Sequence, residues 1–155
     1  MKMTKFNKIL YFILSVIFFV IFDFYFSNLF IVSPIYQIKN SLIEIVFVQN
    51  TGAAFSILEN AQYLLIIFAV AAILIIITYG IRNIEKFSAI TCFWTALLIA
   101  GIGCNLYERI VFGYVRDFFK LNFVDFPVFN ISDIFITIGV LALIVLIVKN
   151  KYLRK

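Results

Sequence analysis

Histidine is absent from this chain of 155 residues, which also has only two cysteines and two prolines. The commonest metal ligand and the commonest general base at neutral pH are therefore both missing. Cys92 and Cys104 are twelve positions apart in one apolar run, about 18 Å along a helix, which is too far for a disulfide. We expect no metal, no cofactor and no disulfide, and we interpret both cysteines as small buried thiols.

Charged residues are also scarce. They make up 14% of the chain, against 65% hydrophobic residues and a mean hydropathy of +1.10, whereas soluble domains are roughly 45–50% apolar. If four helices alternate across a membrane, 9 of the 13 basic residues fall on one side: Lys2, Lys5, Lys8, Arg82, Lys86, Lys149, Lys151, Arg154 and Lys155. This positive-inside pattern predicts a multi-pass membrane protein with both termini in the cytoplasm, and it argues against nucleic acid as a partner.

Four apolar runs predict transmembrane helices over about residues 9–30, 63–79, 87–107 and 134–148, within a single domain of residues 1–155. Residues 41–49 are rich in Ile, Val and Phe but too few to span as a helix, so they predict an outer-face strand or two. Residues 108–129 mix aromatic and charged side chains and predict a segment along the interface. The fold class is therefore an all-α membrane protein with four transmembrane helices, a small β-rich cradle at the outer face and an interfacial segment between helices three and four.

Two aspartates, Asp117 and Asp133, lie near the outer ends of the last two spans. Each has an ordinary interpretation, Asp117 as a solvated loop acid beside Arg116 and Asp133 as a capping residue three positions after Asn130. As a pair they predict chemistry, because ionised acids near hydrocarbon are costly and usually paired or functional. Two carboxylates about 3 Å apart cannot both ionise, so one keeps its proton. The other can then take a proton from water while the protonated acid polarises a carbonyl.

Further polar residues can support such a site. Asn105, Glu108 and Arg109 share one helical face by their spacing, and we expect Arg109 to pair with Glu108 or with Asp117. Small residues at Gly52, Ala53 and Ala54 permit close approach of a substrate backbone. Asp23 is left with two interpretations, a hydrogen-bond partner for a loop or an acid at the interface.

Four motifs occur in an order that resembles bacterial lipoprotein signal peptidase, also called signal peptidase II. They are Asn50-Thr51-Gly52-Ala53-Ala54-Phe55, Gly101-x-x-x-Asn105-x-x-x-Arg109, Val115-x-Asp117-Phe118 and Phe129-Asn130-x-x-Asp133. The resemblance covers nearly the whole chain. It departs from the family's pattern at Ser27, where a Lys is expected, at Cys104, where a Gly is expected, and at Glu108, where an Asp is expected.

The resemblance implies an aspartic membrane endopeptidase with Asp117 and Asp133 as its catalytic residues. The supporting positions it implies are Asp23, Asn50, Gly101, Asn105, Arg109 and Asn130, to which the small-residue argument adds Gly52. The implied reaction removes the signal peptide from a prolipoprotein, just before the cysteine that carries diacylglycerol. The implied location is the bacterial cytoplasmic membrane, with the active site on the outer face and with the lipidated prolipoprotein and membrane lipid as partners.

Two other functions remain open from the sequence. A small proton-coupled transporter could use Asp23, Asp117 and Asp133 as a relay, although relays need carboxylates at several depths and the middles of the predicted spans hold no charged residue. A non-catalytic adaptor with the same fold is the second alternative, against which the intact aspartate pair argues.

Overall fold

The computed structural model describes residues 3–32, 42–52 and 61–153. Within these ranges lie four helices, α1 (Lys5–Val32), α2 (Gln62–Asn83), α3 (Ala89–Phe112) and α4 (Ile131–Leu153), and two strands, β1 (Ile43–Asn50) and β2 (Val115–Leu121). All four helices are long and apolar enough to cross a membrane, which confirms the predicted helical fold. Ala53 and Ala54, singled out from the sequence, lie outside the described residues.

Helices α1, α2 and α4 extend beyond the predicted apolar runs at both ends, whereas α3 begins two residues later than predicted and extends further at its C-terminal end. The side chain of Ser88 accepts the backbone N–H of Thr91 and so caps the start of α3. Helix α3 continues through Glu108 and Arg109 to Phe112 and ends at Gly113, whose positive φ of 78° suits a glycine C-cap. Hydropathy alone placed this end five residues too early.

The chain reverses at Gly113 and enters β2, which pairs antiparallel with β1. Val48 lies opposite Asp117 and Asn50 lies opposite Val115 in this ladder. The strand predicted over residues 41–49 is confirmed as β1. Its partner occupies residues 115–121, in the segment that the sequence indicated as interfacial, because alternating contacts with β1 satisfy its backbone groups.

Helix α3 is the centre of the bundle and packs against each of the other three helices. In its membrane-spanning window 56% of the residues are buried, against none in the window of α2. The small residues Ala96, Ala100 and Cys104 are all buried, as expected for a packing role.

Gly101 fixes how closely α4 can approach α3. A Cβ atom at this position would lie 2.6 Å from the carbonyl oxygen of Ser132 and 3.0 Å from Cβ of Phe135. A larger residue would push the start of α4 away from α3. Because Gly101 has no side chain, α4 can approach α3 closely. This approach determines the position of Asp133, which follows Ser132 in the first turn of α4.

Candidate active site

Asp117 lies in β2 and is 1% exposed. Asn50 donates its side-chain amide to Oδ2 at 2.8 Å, and Asn130 donates its side-chain amide to Oδ1 at 2.9 Å. Pairing of β1 with β2 brings Asn50 into reach of this carboxyl group. The interpretation of Asp117 as a solvated loop acid is therefore wrong, since the strand ladder carries it into the protein.

Asp133 lies in the first turn of α4 and exchanges hydrogen bonds with Asn130. The backbone N–H of Asp133 donates to Oδ1 of Asn130 at 2.8 Å, and the backbone N–H of Asn130 donates to Oδ2 of Asp133 at 3.2 Å. This is a reciprocal capping arrangement. The other oxygen, Oδ1, accepts the side-chain amide of Asn105 at 2.8 Å. Asp133 therefore has the predicted capping role, but only Oδ2 takes part in the cap, and Oδ1 is held by Asn105.

Asn130 connects the two aspartates. Its side-chain amide donates to Asp117 and also to Oδ1 of Asn105 at 3.1 Å, while its backbone N–H donates to Asp133. One asparagine thus holds a carboxyl group from β2 and one from α4. The structure brings together both predicted aspartates and the three asparagines, and we call these five residues the aspartate cluster.

The pKa of the Asp117 carboxyl group is raised from 3.8 to about 7. Burial is the largest cause, because it disfavours the charged form, and the negative charge of Asp133 is the second. The hydrogen bonds from Asn50 and Asn130 oppose the rise. Neutral amides can orient the two acids, but they cannot cancel the repulsion between them. The arrangement therefore favours a proton on Asp117 at neutral pH.

Arg109 does not form the predicted pair with Glu108 or with Asp117, so that expectation is wrong. Its guanidinium group donates to the carbonyl oxygen of Gly52 at 3.0 Å and to that of Asn105 at 3.4 Å. Gly52 in turn donates its backbone N–H to Oδ1 of Asn50 at 2.9 Å. Arg109 thus connects α3 to the end of β1, where Asn50 holds Asp117.

Glu108 pairs instead with Arg116, a contact that the sequence did not predict. One oxygen of Glu108 lies 2.6 Å from Nη2 and 2.8 Å from Nε of Arg116, and the other accepts the backbone N–H of Arg116 at 2.7 Å. Glu108 is 5% exposed and Arg116 is 7% exposed. The guanidinium group also lies 4.9 Å from the ring centroid of Phe112. This buried ion pair ties β2 to α3 immediately before Asp117.

Asp23 lies in α1, is 3% exposed and accepts the hydroxyl group of Ser132 at 2.7 Å. It is therefore a buried hydrogen-bond partner, but of the first turn of α4 rather than of a loop, and it is not an exposed acid at the interface. Cys104 is in electrostatic and hydrogen-bonding contact with the same carboxyl group. Ser27, one turn further along α1, is 2% exposed. All three positions that depart from the expected pattern, Ser27, Cys104 and Glu108, are thus buried.

A cleft of about 430 Å³ opens beside the aspartate cluster. Its polar lining includes Asn50, Asn105, Arg109 and Asp133. Its other walls are mostly apolar side chains from α4 and from the segment before it, among them Phe126, Val128, Ile134 and Ile138. A polar end beside apolar walls suits a ligand that carries both a peptide group and a hydrocarbon group.

Comparisons with a family model and with known proteins agree on one family. The family model described as signal peptidase (SPase) II matches residues 7–149. The chain is 39% identical over 127 residues to a lipoprotein signal peptidase of Caldicellulosiruptor bescii, covering 80% of this chain and 79% of the relative. It is 38% identical over 105 residues to a lipoprotein signal peptidase of Streptococcus thermophilus, covering 68% of each chain.

Two solved structures share the fold. Both are described as bacterial membrane enzymes, one solved at 2.3 Å and one at 1.9 Å resolution. The first superposes with a TM-score of 0.81 at 27% identity and covers 93% of this chain and 91% of that one. The second has a TM-score of 0.76 at 28% identity, with coverage of 89% and 92%.

Proposed function

The chain belongs to the signal peptidase II family of membrane peptidases, and from this premise we propose that it removes the signal peptide from diacylglyceryl-modified prolipoproteins. Asp117 and Asp133 are the proposed catalytic pair. The observation that carries the proposal is the bridge through Asn130, which connects the buried carboxyl group of Asp117 to Asp133 in the lining of the cleft. The fit of a peptide with a lipid-bearing cysteine to a cleft that is polar at one end and apolar along its walls supports the substrate class.

In the proposed mechanism the two acids have different tasks. Asp117, with its pKa raised to about 7, holds the proton, and Asp133, which accepts two N–H groups, carries the charge. Asp133 takes a proton from water, and the resulting hydroxide adds to the scissile carbonyl carbon while Asp117 donates a hydrogen bond to the carbonyl oxygen. The C–N bond then breaks and the departing cysteine nitrogen receives the proton that Asp133 took from water. The products are a signal peptide with a carboxylate end and a lipoprotein with a free amino terminus.

The other polar residues hold this pair without taking part in bond changes. Asn50, Asn105 and Asn130 orient the carboxyl groups, and Arg109 holds the chain at Gly52. Gly101 and Asp23 fix the start of α4 through Ser132. Every one of these contacts lies at the same end of the bundle. A transmembrane proton relay is not favoured, because in the described helices the acids stay at this end apart from Glu85 at the other.

A cleavage assay tests the proposal directly. The purified protein in detergent should release the signal peptide from a diacylglyceryl-modified prolipoprotein, with cleavage immediately before the modified cysteine. The same precursor without its lipid is the matched control and should be cut much more slowly, since it leaves the apolar walls of the cleft empty. Failure to cut the lipidated precursor would exclude the peptidase and leave the adaptor as the better explanation.

We also propose that the protein lies in the bacterial cytoplasmic membrane with both termini in the cytoplasm and the aspartate cluster on the outer face. Reporters placed after Lys8 and at Asn83 should then score cytoplasmic. A reporter near Asn40 should score outside. An outside score at Asn83 would put the aspartates on the cytoplasmic side and contradict this orientation.

A further inference from the structure

A second groove lies at the end of the bundle away from the aspartate cluster, between α2 and α4 and over the first half of α3. It has a volume of about 750 Å³ and shares no lining residue with the cleft at the active site. On α3 the lining residues nearest to each other are Leu98 of the groove and Asn105 of the cleft, which are separated by about 10.5 Å of helix. The groove is therefore a separate feature of the molecule.

The length and lining of the groove match one leaflet of a bilayer. Its α2 wall runs from Ile75 to Asn83, about 12 Å of helix, whereas half of a hydrocarbon core is about 15 Å thick. The walls along this length are largely aliphatic, with Ile76, Leu98 and Leu146 facing one another across it. The polar lining residues lie mainly towards the end of the bundle.

The rim of the groove is basic. Lys86 lines its mouth, and Arg82 and Lys149 lie close by in sequence at the adjoining ends of α2 and α4. Glu85 is the acid in the described part of this rim, and the ammonium group of Lys8 donates to its backbone carbonyl at 2.9 Å. The balance of charge at the mouth is positive.

We propose that this groove binds an anionic phospholipid from the leaflet at this end of the bundle. One acyl chain lies along the aliphatic walls, and the phosphate lies at the mouth beside Lys86. The charge at the rim distinguishes this occupant from the signal peptide of a substrate. Signal peptides begin with a basic region, which would meet Lys86 and Arg82 as like charges, and their helices need the whole membrane thickness rather than one leaflet.

The test is retention of added lipid by the full-length protein in detergent, measured by native mass spectrometry. Phosphatidylglycerol, which is anionic, should be retained more strongly than phosphatidylcholine, which has no net charge. Lys86→Gln should weaken retention of phosphatidylglycerol about fivefold, the loss expected for one basic residue near an anionic surface. Lys5→Gln is the matched control, since Lys5 is an exposed basic residue at the same end that does not line the groove, and it should change retention less than twofold.

A second pair of variants tests the walls. Leu146→Trp should fill the groove and reduce retention of both lipids, while Leu74→Trp, on an exposed face of α2 outside the groove, should leave retention unchanged. Equal retention of the two lipids would overturn the proposal, as would equal losses in Lys86→Gln and Lys5→Gln. Photo-crosslinking from the groove to a signal peptide in the presence of phosphatidylglycerol would also overturn it.

Discussion

Two buried groups of polar residues meet where β2 packs against α3, and they hold their acids by different chemistry. In the aspartate cluster, Asp117 and Asp133 receive their side-chain hydrogen bonds from neutral amides. In the ion pair, Glu108 receives its hydrogen bonds from Arg116. A hydrogen-bonded cation stabilises the charged form of an acid, whereas the hydrogen-bond partners of Asp117 among the described residues are amides, and burial together with the charge of Asp133 raises its pKa. This difference is the reason for proposing Asp117 as the acid that holds the reactive proton and for assigning Glu108 a structural role.

Arg116 and Asp117 are adjacent in sequence, but one belongs to the ion pair and the other to the aspartate cluster, because β2 is extended. Successive side chains of a strand point to opposite faces, so Arg116 faces Glu108 of α3 while Asp117 faces Asn50 and Asn130. The backbone N–H of Arg116 is also held by Glu108 at 2.7 Å. The ion pair therefore fixes the strand at the residue before the proposed catalytic acid, and the negative charge of Glu108 adds to the rise in the pKa of Asp117.

The largest effect on the cleavage rate is expected from substitution of the two aspartates of the aspartate cluster. Asp117→Asn and Asp133→Asn each keep the size of the side chain and remove its titratable proton. The rate of signal-peptide release should fall roughly 10²–10⁴-fold, the usual contribution of a positioned general acid or base. The measurement is the initial cleavage rate of the lipidated precursor, normalised to folded protein.

Asp125→Asn is the matched control for both variants. Asp125 is an exposed acid in the same segment between β2 and α4, and its replacement should leave the cleavage rate unchanged. Near-normal turnover by Asp117→Asn or Asp133→Asn would remove that residue from the catalytic pair. The contrast between the two buried groups would then have no bearing on catalysis.

The second effect concerns stability. Glu108→Gln keeps the shape of the side chain but leaves the guanidinium group of Arg116 buried without its counter-charge, and breaking a buried ion pair in this way costs about 3–5 kcal/mol. Thermal unfolding in detergent should show this loss, while the cleavage rate per folded molecule changes far less than in the aspartate variants. A loss of cleavage as complete as in Asp117→Asn, with unfolding unchanged, would mean that Glu108 belongs to the reacting site.

The sequence predicted these two groups unequally well. Hydropathy predicted all four helices, because length and apolarity are local properties, and the family motifs led to the residues of the aspartate cluster. The pair between Glu108 and Arg116 was missed, because it depends on the chain reversal at Gly113. Gly113 was the available signal, since glycine commonly ends a helix in the left-handed conformation that turns the chain. The spacing of Asn105, Glu108 and Arg109 along one helical face suggested Arg109 as the partner instead, although side chains at adjacent positions of a helix do not face each other.

Ser27 illustrates a different limit of sequence reasoning. From helical spacing alone, a lysine at this position would pair with Asp23 and extend towards the surface. The structure buries Ser27 to 2% exposure and gives Asp23 a hydroxyl partner in Ser132. Which side of α1 faces the bundle depends on tertiary packing, which the spacing of two residues does not contain.

The third effect is the pH dependence of the aspartate cluster. The pKa of Asp117 is raised from 3.8 to about 7, so the acid is protonated below pH 7 and loses its proton above it. If that proton polarises the substrate, the cleavage rate should fall about tenfold per pH unit above the pKa. The measurement is the initial rate from pH 5 to pH 9, with the folded fraction followed in parallel.

The raised pKa of Asp117 also determines whether the free energy of unfolding rises or falls with pH. Because the folded-state pKa lies above the unfolded value, the folded protein holds the proton more tightly, and the free energy of unfolding should fall as the pH rises from about 4 to about 7. Asp117→Asn should reduce this slope, whereas Asp125→Asn should keep it. A rate that is flat between pH 6 and pH 9 would contradict the assignment of the proton to Asp117.

The smallest effect is expected from Glu108→Asp, which keeps the charge and shortens the side chain by one methylene group. The guanidinium group of Arg116 is at the end of a flexible side chain and can follow the carboxylate. The backbone N–H of Arg116, in contrast, is fixed by the pairing of β1 with β2, so this one hydrogen bond should be lost at a cost of about 1 kcal/mol.

Glu44→Asp, in the more exposed pair with Lys120 at 3.7 Å, is the control and should change stability by less than about 0.5 kcal/mol. Thermal unfolding of the two variants should therefore rank Glu108→Asp between Glu44→Asp and Glu108→Gln. A loss in Glu108→Asp equal to that in Glu108→Gln would mean that the position of the carboxylate, and not its charge, holds β2 against α3.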